Sequence, residues 1–176
     1  YGTYVKPFMR EDGRDGRVIV IISDGMRYEC ARELLDNLDL DEKCDAKISH
    51  MLSVLPSETT LGMASLLPHK EIVVDENYNI TVDGMHCGNS TAERQKILQA
   101  AIPRSACYDF DKVMNAKKDE IRQMLQDKDV VYIYQNQIDD RGESSRSENE
   151  VFNACQEAIE EIQAFIRRIT GYVSAT

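Results

Sequence analysis

Three polar clusters in the sequence carry residue types that can bind metal ions or attack a phosphoryl group. Asp24 follows the apolar run 18–22, the hydroxyl-rich stretch 57–60 precedes a second apolar pattern, and the acidic stretch 139–143 follows the run 129–134. Carboxylate oxygens bind divalent cations, and a hydroxyl becomes a nucleophile when a base or a metal ion activates it. If the apolar runs are parallel strands, we expect the clusters to converge at one edge of the sheet.

Asp24 has two interpretations. Residues 27–38, which follow it, have apolar side chains at helical spacing, and aspartate is a favoured N-cap for such a helix. A carboxylate at the carboxyl end of a buried strand can also face a ligand. The stretch alone leaves capping and ligand binding open.

The stretch "VLPSETTLGMASLLP" places Ser57, Thr59 and Thr60 before a short helical pattern that Pro68 closes. These hydroxyls can cap the helix, and the same helix start offers backbone N–H groups that suit a phosphate. A threonine is a weak nucleophile without activation. Because few histidines lie near it in sequence, we expect a metal ion to be the activator if Thr59 is catalytic.

The stretch "YIYQNQIDDRGE" places Asp139, Asp140 and Glu143 just beyond an apolar strand pattern. Three acids in a polar turn usually form a solvated loop. In the D-x-x-G-E arrangement, however, the glycine lets the chain turn back, so that Asp139 and Glu143 can face one ion. Divalent cations, zinc among them, accept such carboxylate oxygens.

The composition limits the class of protein. The chain has 176 residues and 42% hydrophobic residues, which predicts one domain with a real core. Its net charge of −10 argues against a general nucleic-acid-binding surface. No apolar run approaches the roughly 20 residues that span a bilayer, so we expect no membrane partner. Five cysteines without a C-x-x-C pair indicate reduced thiols in a cytoplasmic protein.

The elements that position these clusters alternate between strand and helix. The run 18–22 is continuous and apolar, which predicts a buried central strand. The stretch 129–134, apolar after Asp129, predicts another buried strand, and 71–84 predicts two short strands around a turn. Helices are predicted over 27–38, 90–101, 112–126 and 151–169. The sequence therefore predicts an α/β fold with a largely parallel central sheet and helices on both faces. Residues 1–17 are predicted as a linker and 18–176 as the domain.

Several motifs also occur in a fixed order: "DGMRYE", "LPSETTLGMASLLP", "VDG", "YIYQNQIDDRGE" and "SENEVF". Over residues 18–170, this series resembles the PglZ domain, a bacterial member of the alkaline phosphatase superfamily. The Asp-Gly-x-Arg, Pro-x-x-Thr and D-x-x-G-E elements also resemble the metal and nucleophile motifs of the superfamily's nucleotide pyrophosphatase and phosphodiesterase branch.

The resemblance implies an alkaline-phosphatase-like fold and a metal-dependent phosphatase or phosphodiesterase. Carried onto this sequence, it makes Thr59 the nucleophile, with Thr60 as the fallback. Asp24 and Thr59 would contact one metal ion, and Asp139 with Glu143 would hold the neighbouring one. The resemblance implies two divalent ions, with zinc as the first candidate and manganese or magnesium as alternatives.

Some positions depart from the family pattern or have open roles. Gln135 stands where many relatives have histidine, and Glu143 stands where they have aspartate. Arg27 either contacts the phosphate or anchors Glu29. The family's "ADHG" motif, with further metal ligands, is expected just after residue 176, so we expect the 176-residue chain alone to be inactive.

The family also implies a biological setting, which is bacterial anti-phage defence of the bacteriophage-exclusion (BREX) type. The expected partners are a phosphorylated substrate, such as a nucleotide or nucleic acid, and other proteins of the defence system. The alternative is a non-catalytic alkaline-phosphatase-like interaction module in a defence complex or signalling protein. A receiver-like signalling domain is a third option, against which the threonine loop and the D-x-x-G-E stretch argue.

Overall fold

The computed structural model describes residues 1–9, 17–41, 44–144 and 148–172, and of residues 143–144 and 148–151 it describes the backbone alone. A short 3-10 turn spans Lys6–Phe8. The strands are β1 (Val18–Ser23), β2 (Ile72–Val74), β3 (Ile80–Val82), β4 (Met85–His86), β5 (Ser105–Asp109) and β6 (Val130–Gln135). The helices are α1 (Tyr28–Asp39), α2 (Thr59–Leu66), α3 (Thr91–Ala101), α4 (Phe110–Asn115), α5 (Lys118–Leu125), α6 (Gln137–Ser144) and α7 (Glu148–Ile169).

The main sheet is parallel, with strand order β1-β6-β5. β5 pairs with β6 in a register that runs from Ser105 opposite Val130 to Asp109 opposite Tyr134. All six residues of β6 are buried. The α/β prediction with a parallel sheet is therefore confirmed, and the run 129–134 is the central strand of the described sheet.

The position of β1 differs from the prediction. In the part of the chain that the structure describes, β1 lies at one edge of the sheet, and each of its six residues is only partly buried. The prediction of a central strand covered on both faces is therefore wrong for these residues. A run of β-branched side chains indicates a strand in an apolar setting, but it does not rank the strands within a sheet.

A second, antiparallel sheet has the order β2-β3-β4. Ile72 lies opposite Val82, and Val74 lies opposite Ile80. The turn between these strands is closed by Asp75, whose Oδ1 accepts the N–H groups of Asn77 and Asn79, both at 2.8 Å. The predicted pair of short strands around a turn is confirmed.

Two other segments differ from the sequence prediction. Strand β5 was not expected, because its buried residues Ser105, Ala106 and Cys107 are small and lack the β-branched character that marks a strand. The predicted helix 112–126 is two helices, α4 and α5. The chain leaves the helical conformation at Ala116, and the side chain of Glu120 accepts the N–H of Lys117 to begin the second helix.

The chain divides into two compact units, which we call the sheet unit and the helical unit. The sheet unit comprises Tyr1–Ile22 and Leu52–Tyr134, together with Tyr172. Its core contains the alternate β6 residues Val130, Tyr132 and Tyr134 and apolar residues from α2, β3 and α3. Val5, in the segment predicted as a linker, is also buried in this core.

The helical unit comprises Ser23–Met51 and Gln135–Gly171. Within it, α7 packs against both α1 and α6. The side chain of Gln163 donates to the carbonyl of Asn37 at 3.2 Å, and Arg167 pairs with Asp41 at 3.4 Å, so α7 is tied to the end of α1. The predicted helices over 27–38 and 151–169 are confirmed. None of the described helices is long and apolar enough to cross a membrane.

Candidate active site

Asp24 lies in a tight turn directly after β1, in the helical unit. Its backbone N–H donates to the carbonyl of Gln135 at 2.8 Å, and its Oδ1 accepts the N–H of Gly25 at 3.0 Å. Helix α1 begins four residues later, with Arg27 as its N-cap residue. Asp24 is therefore not the cap of this helix, and the capping interpretation is wrong.

Gly25 brings the Asp24 turn into contact with the beginning of α6. Its φ is +74°, a left-handed conformation that favours glycine. A Cβ at this position would lie 3.2 Å from Cγ2 of Ile138 and 3.3 Å from the backbone nitrogen of Asp139. Asp24 and Asp139 are thus carried by two backbone segments that touch, as the sequence predicts for these two clusters.

The acidic stretch that holds Asp139 and Glu143 is helical. The sequence predicts a polar turn in which the glycine reverses the chain, but Gly142 lies inside α6 and this prediction is wrong. Asp139 and Glu143 are four positions apart in the sequence, which places both on one face of a helix. The side chain of Glu143 lies outside the described part of the structure.

Helix α6 is fixed to α7 by polar contacts around Glu157. Arg141 forms an ion pair with Glu157, and Gln137 donates to the same carboxylate at 3.3 Å. The hydrogen bond from Arg141 holds the pKa of Glu157 below its usual range. The helix that carries Asp139 therefore has a defined attachment within its unit.

Gln135 is the last residue of β6 and makes contacts that the sequence did not reveal. The residue as a whole is 2% exposed. Its Oε1 accepts the hydroxyl of Ser23 at 2.9 Å, and its Nε2 donates to Glu161 at 3.5 Å. The only sequence signal for this residue is its departure from the histidine of many relatives.

Thr59 is the first residue of α2, in the sheet unit, and its side chain is exposed. Among the described residues, its hydroxyl has no hydrogen-bond partner. The N-cap of the helix is Glu58, whose Oε2 accepts the N–H of Leu61 at 2.9 Å. The prediction that the hydroxyls of Ser57, Thr59 and Thr60 cap the helix is therefore wrong. Among the described residues, the hydroxyl of Thr59 makes no hydrogen bond that stabilises α2.

Glu58 also changes the electrostatics of this helix start. The hydrogen bond from Leu61 is the main reason why the pKa of Glu58 lies below its usual range. The carboxylate is therefore charged at neutral pH and occupies the position where a helix N-terminus would receive an anion. The N–H of Leu61, one of the backbone groups that the sequence predicts to receive a phosphate, is thus already bound by the carboxylate of Glu58.

Thr60 is engaged where Thr59 is not. Its hydroxyl donates to Oδ1 of Asn89 at 2.8 Å. Asn89 precedes Ser90, the N-cap of α3, whose hydroxyl accepts the N–H of Glu93 at 3.2 Å. Asn89 was not a candidate from the sequence, and its contact ties the start of α2 to the start of α3.

Arg27 is exposed at the start of α1. Within the described residues no ion pair joins it to Glu29, so the anchoring interpretation is wrong. Its positive charge lowers the pKa of the Cys155 thiol, but burial and the neighbouring Cys30 thiol outweigh this effect and raise that pKa to about 11. A phosphate contact for Arg27 stays a prediction.

The donor set fits part of a metal site. Asp24 and Asp139 are partly buried carboxylates on touching segments, which suits a divalent cation. Across residues 1–9, 17–41, 44–144 and 148–172, however, no group of three His, Cys, Asp or Glu side chains is arranged to hold an ion. Among the described residues, Asp24 and Asp139 could therefore provide only part of a coordination shell.

Comparisons with known proteins agree with the motif series. A family model for the BREX system PglZ alkaline phosphatase-like domain matches residues 1–176. The alkaline phosphatase-like protein PglZ of Bacillus cereus (strain H3081.97) is 36% identical over 176 residues, which is 100% of this chain and 20% of that protein. The alkaline phosphatase-like protein BrxZ of Escherichia coli O9:H4 (strain HS) is 32% identical over 162 residues, which is 91% of this chain and 18% of that protein.

No solved structure matches the chain. The chain spans about a fifth of the length of the two curated relatives.

Proposed function

Because this chain belongs to the PglZ family, the alkaline phosphatase-like domain of BREX systems, we propose that the whole protein is a metal-dependent hydrolase of phosphoric esters. The observation that carries the proposal is the contact between the Asp24 turn and the backbone of Asp139 at Gly25. Two carboxylates from separate motifs, presented on touching segments, are suited to a shared divalent metal centre.

In this proposal, Asp24, Asp139 and Glu143 hold two divalent ions, with zinc as the first candidate and manganese or magnesium as alternatives. When bound, the ions would neutralise the charge on the phosphoryl group and favour the deprotonated form of the attacking hydroxyl. The remaining ligands would come from the part of the protein outside this chain.

Thr59 is the proposed nucleophile. Its exposed hydroxyl is not committed to a hydrogen bond among the described residues, whereas the hydroxyl of Thr60 is held by Asn89. A nucleophile needs a free lone pair and a defined backbone, and the first residue of a capped helix supplies both. Because Glu58 already places a negative charge at this helix start, the phosphate would be neutralised by the metal ions and not by the helix dipole.

The proposed substrate is a phosphodiester or phosphomonoester, such as a nucleotide or nucleic acid, and Arg27 is the proposed phosphate contact. The net charge of −10 argues against a general surface for polyanions on this chain. The proposed partners are other proteins of the BREX system.

A non-catalytic interaction module is the second candidate. The observation that favours it is Gln135, which replaces the histidine of many relatives and uses its buried amide for contacts within the protein. A domain that lacks the histidine of its family's pattern can lose catalysis and still keep its fold as a docking platform for other proteins.

The test uses the full-length protein and measures metal content and hydrolysis of a phosphodiester panel side by side. Thr59→Ala should leave stability nearly unchanged, because Glu58 and not Thr59 caps the helix, while turnover falls by several orders of magnitude. Asp24→Asn should weaken metal binding, with partial rescue by added metal.

Thr60→Ala is the matched control in the same helix. It removes the hydrogen bond to Asn89 and should retain most of the turnover. Near-normal turnover in Thr59→Ala together with an inactive Thr60→Ala would move the nucleophile by one residue. A full-length protein that binds metal but hydrolyses no member of the panel would favour the interaction module.

A further inference from the structure

Gln135 holds the Asp24 turn through both its backbone and its side chain. The backbone carbonyl accepts the N–H of Asp24 at 2.8 Å, and the side-chain carbonyl accepts the hydroxyl of Ser23 at 2.9 Å. The two consecutive residues that end β1 and begin the turn are thus bound to one residue of β6.

The third contact of Gln135 reaches a different helix. Its Nε2 donates to Oε2 of Glu161, which belongs to α7, at 3.5 Å. Because Gln135 is only 2% exposed, it has little access to water, so these protein groups must satisfy its amide. The amide therefore has a fixed orientation, and it transmits that orientation to Ser23.

We propose that Gln135 is a positioning residue for Asp24, which acts by fixing the Ser23–Asp24–Gly25 turn against the start of α6. The metal-binding part of this inference rests on the proposed function, whereas the ordering of the turn does not. A neutral amide suits the role because it accepts from Ser23 and donates to Glu161 at the same time, which a carboxylate or an alkyl group cannot do.

The loss of this amide has a definite expected consequence. In Gln135→Leu the side chain keeps a similar size, but Ser23 and Glu161 lose their shared partner. The backbone contact to Asp24 remains, so the turn should loosen without being abolished. Groups that orient metal ligands typically contribute about 10–100-fold to metal affinity, which is the expected loss here.

The first measurement needs no metal. Hydrogen exchange of the full-length protein, followed by mass spectrometry of peptides covering residues 20–28, should be about tenfold faster in Gln135→Leu, the factor that loss of one buried hydrogen bond provides. Ser23→Ala should give a smaller increase, and the double variant should be no faster than Gln135→Leu because the two changes break the same contact.

Val131→Ala is the matched control, since Val131 is fully buried in the same strand four positions before Gln135. It should lower the melting temperature as much as Gln135→Leu or more, without selective acceleration of exchange in residues 20–28. Unchanged exchange of this peptide in Gln135→Leu, or an equal acceleration in Val131→Ala, would overturn the inference.

The second measurement is a titration with zinc and manganese under chelator competition. Gln135→Leu should weaken binding about 10–100-fold while Val131→Ala does not. A wild-type protein that binds metal through Asp24 without hydrolysing any ester would remove the proposed function and leave the inference standing. Normal metal affinity and hydrolysis in Gln135→Leu, with ordinary exchange, would remove the inference and leave the proposed function standing.

Discussion

The contact between Gly25 and α6 predicts how much a side chain at position 25 would lower the free energy of unfolding. Gly25→Ala introduces a Cβ into a left-handed backbone position, which costs about 1–2 kcal/mol. The same Cβ meets Ile138 at 3.2 Å and the backbone nitrogen of Asp139 at 3.3 Å, so a helix start must shift by a few tenths of an ångström. Overpacking of this kind costs about 1–3 kcal/mol, for an expected total of about 2–5 kcal/mol.

Gly84→Ala separates the two contributions. Gly84 has a φ of +80°, but a Cβ there would meet no atom within 4 Å. It should therefore carry only the backbone cost of about 1–2 kcal/mol. The measurement is urea denaturation followed by far-UV circular dichroism for the wild type and both variants.

The difference between the two variants reports the packing of the Asp24 turn on α6. If the two free energies of unfolding agree within about 0.5 kcal/mol, the turn does not press on Asp139, and the reasoning that brings the two carboxylates together fails.

Two further predictions concern the helical unit. Gly142→Ala should stabilise the protein by about 0.5–1 kcal/mol in the same urea assay, because Gly142 lies inside α6 and a Cβ there meets nothing within 4 Å. A destabilised variant would restore the polar-turn interpretation. Alkylation of Cys155 by iodoacetamide should be slow at pH 7, because burial and the Cys30 thiol disfavour the thiolate and raise the pKa to about 11. The rate, followed by mass spectrometry, should rise about tenfold per pH unit up to that pKa. A rate that levels off below pH 9 would contradict this pKa.

Local patterns in the sequence determined much of the fold. The apolar residues within 18–22 and 129–134 correspond to β1 and β6, and helical spacing located α1 and α7 within a few residues. These elements can be predicted from neighbouring residues alone, because runs of β-branched residues favour strands and a 3.6-residue period favours an amphipathic helix. The motif series identified the family, which the comparisons confirm.

Other features depended on partners far away in the chain. The sequence could not rank β1 and β6, because the place of a strand in a sheet depends on which neighbours pair with it. It also missed that α6 is helical, since Ile138 is the one large apolar residue in the stretch 137–144 and a single residue shows no period.

The candidate site likewise has residues that the sequence could nominate and contacts that it could not predict. Asp24, Thr59 and Asp139 could be nominated from the sequence because their residue types and order match a family motif. The contacts around these residues could not be predicted, because each polar group has several possible hydrogen-bond partners. Examples are the Glu58 cap, the Thr60–Asn89 hydrogen bond and the hydrogen bond from Ser23 to Gln135. Only the tertiary structure decides such choices, because it fixes which groups meet at distances where a hydrogen bond forms.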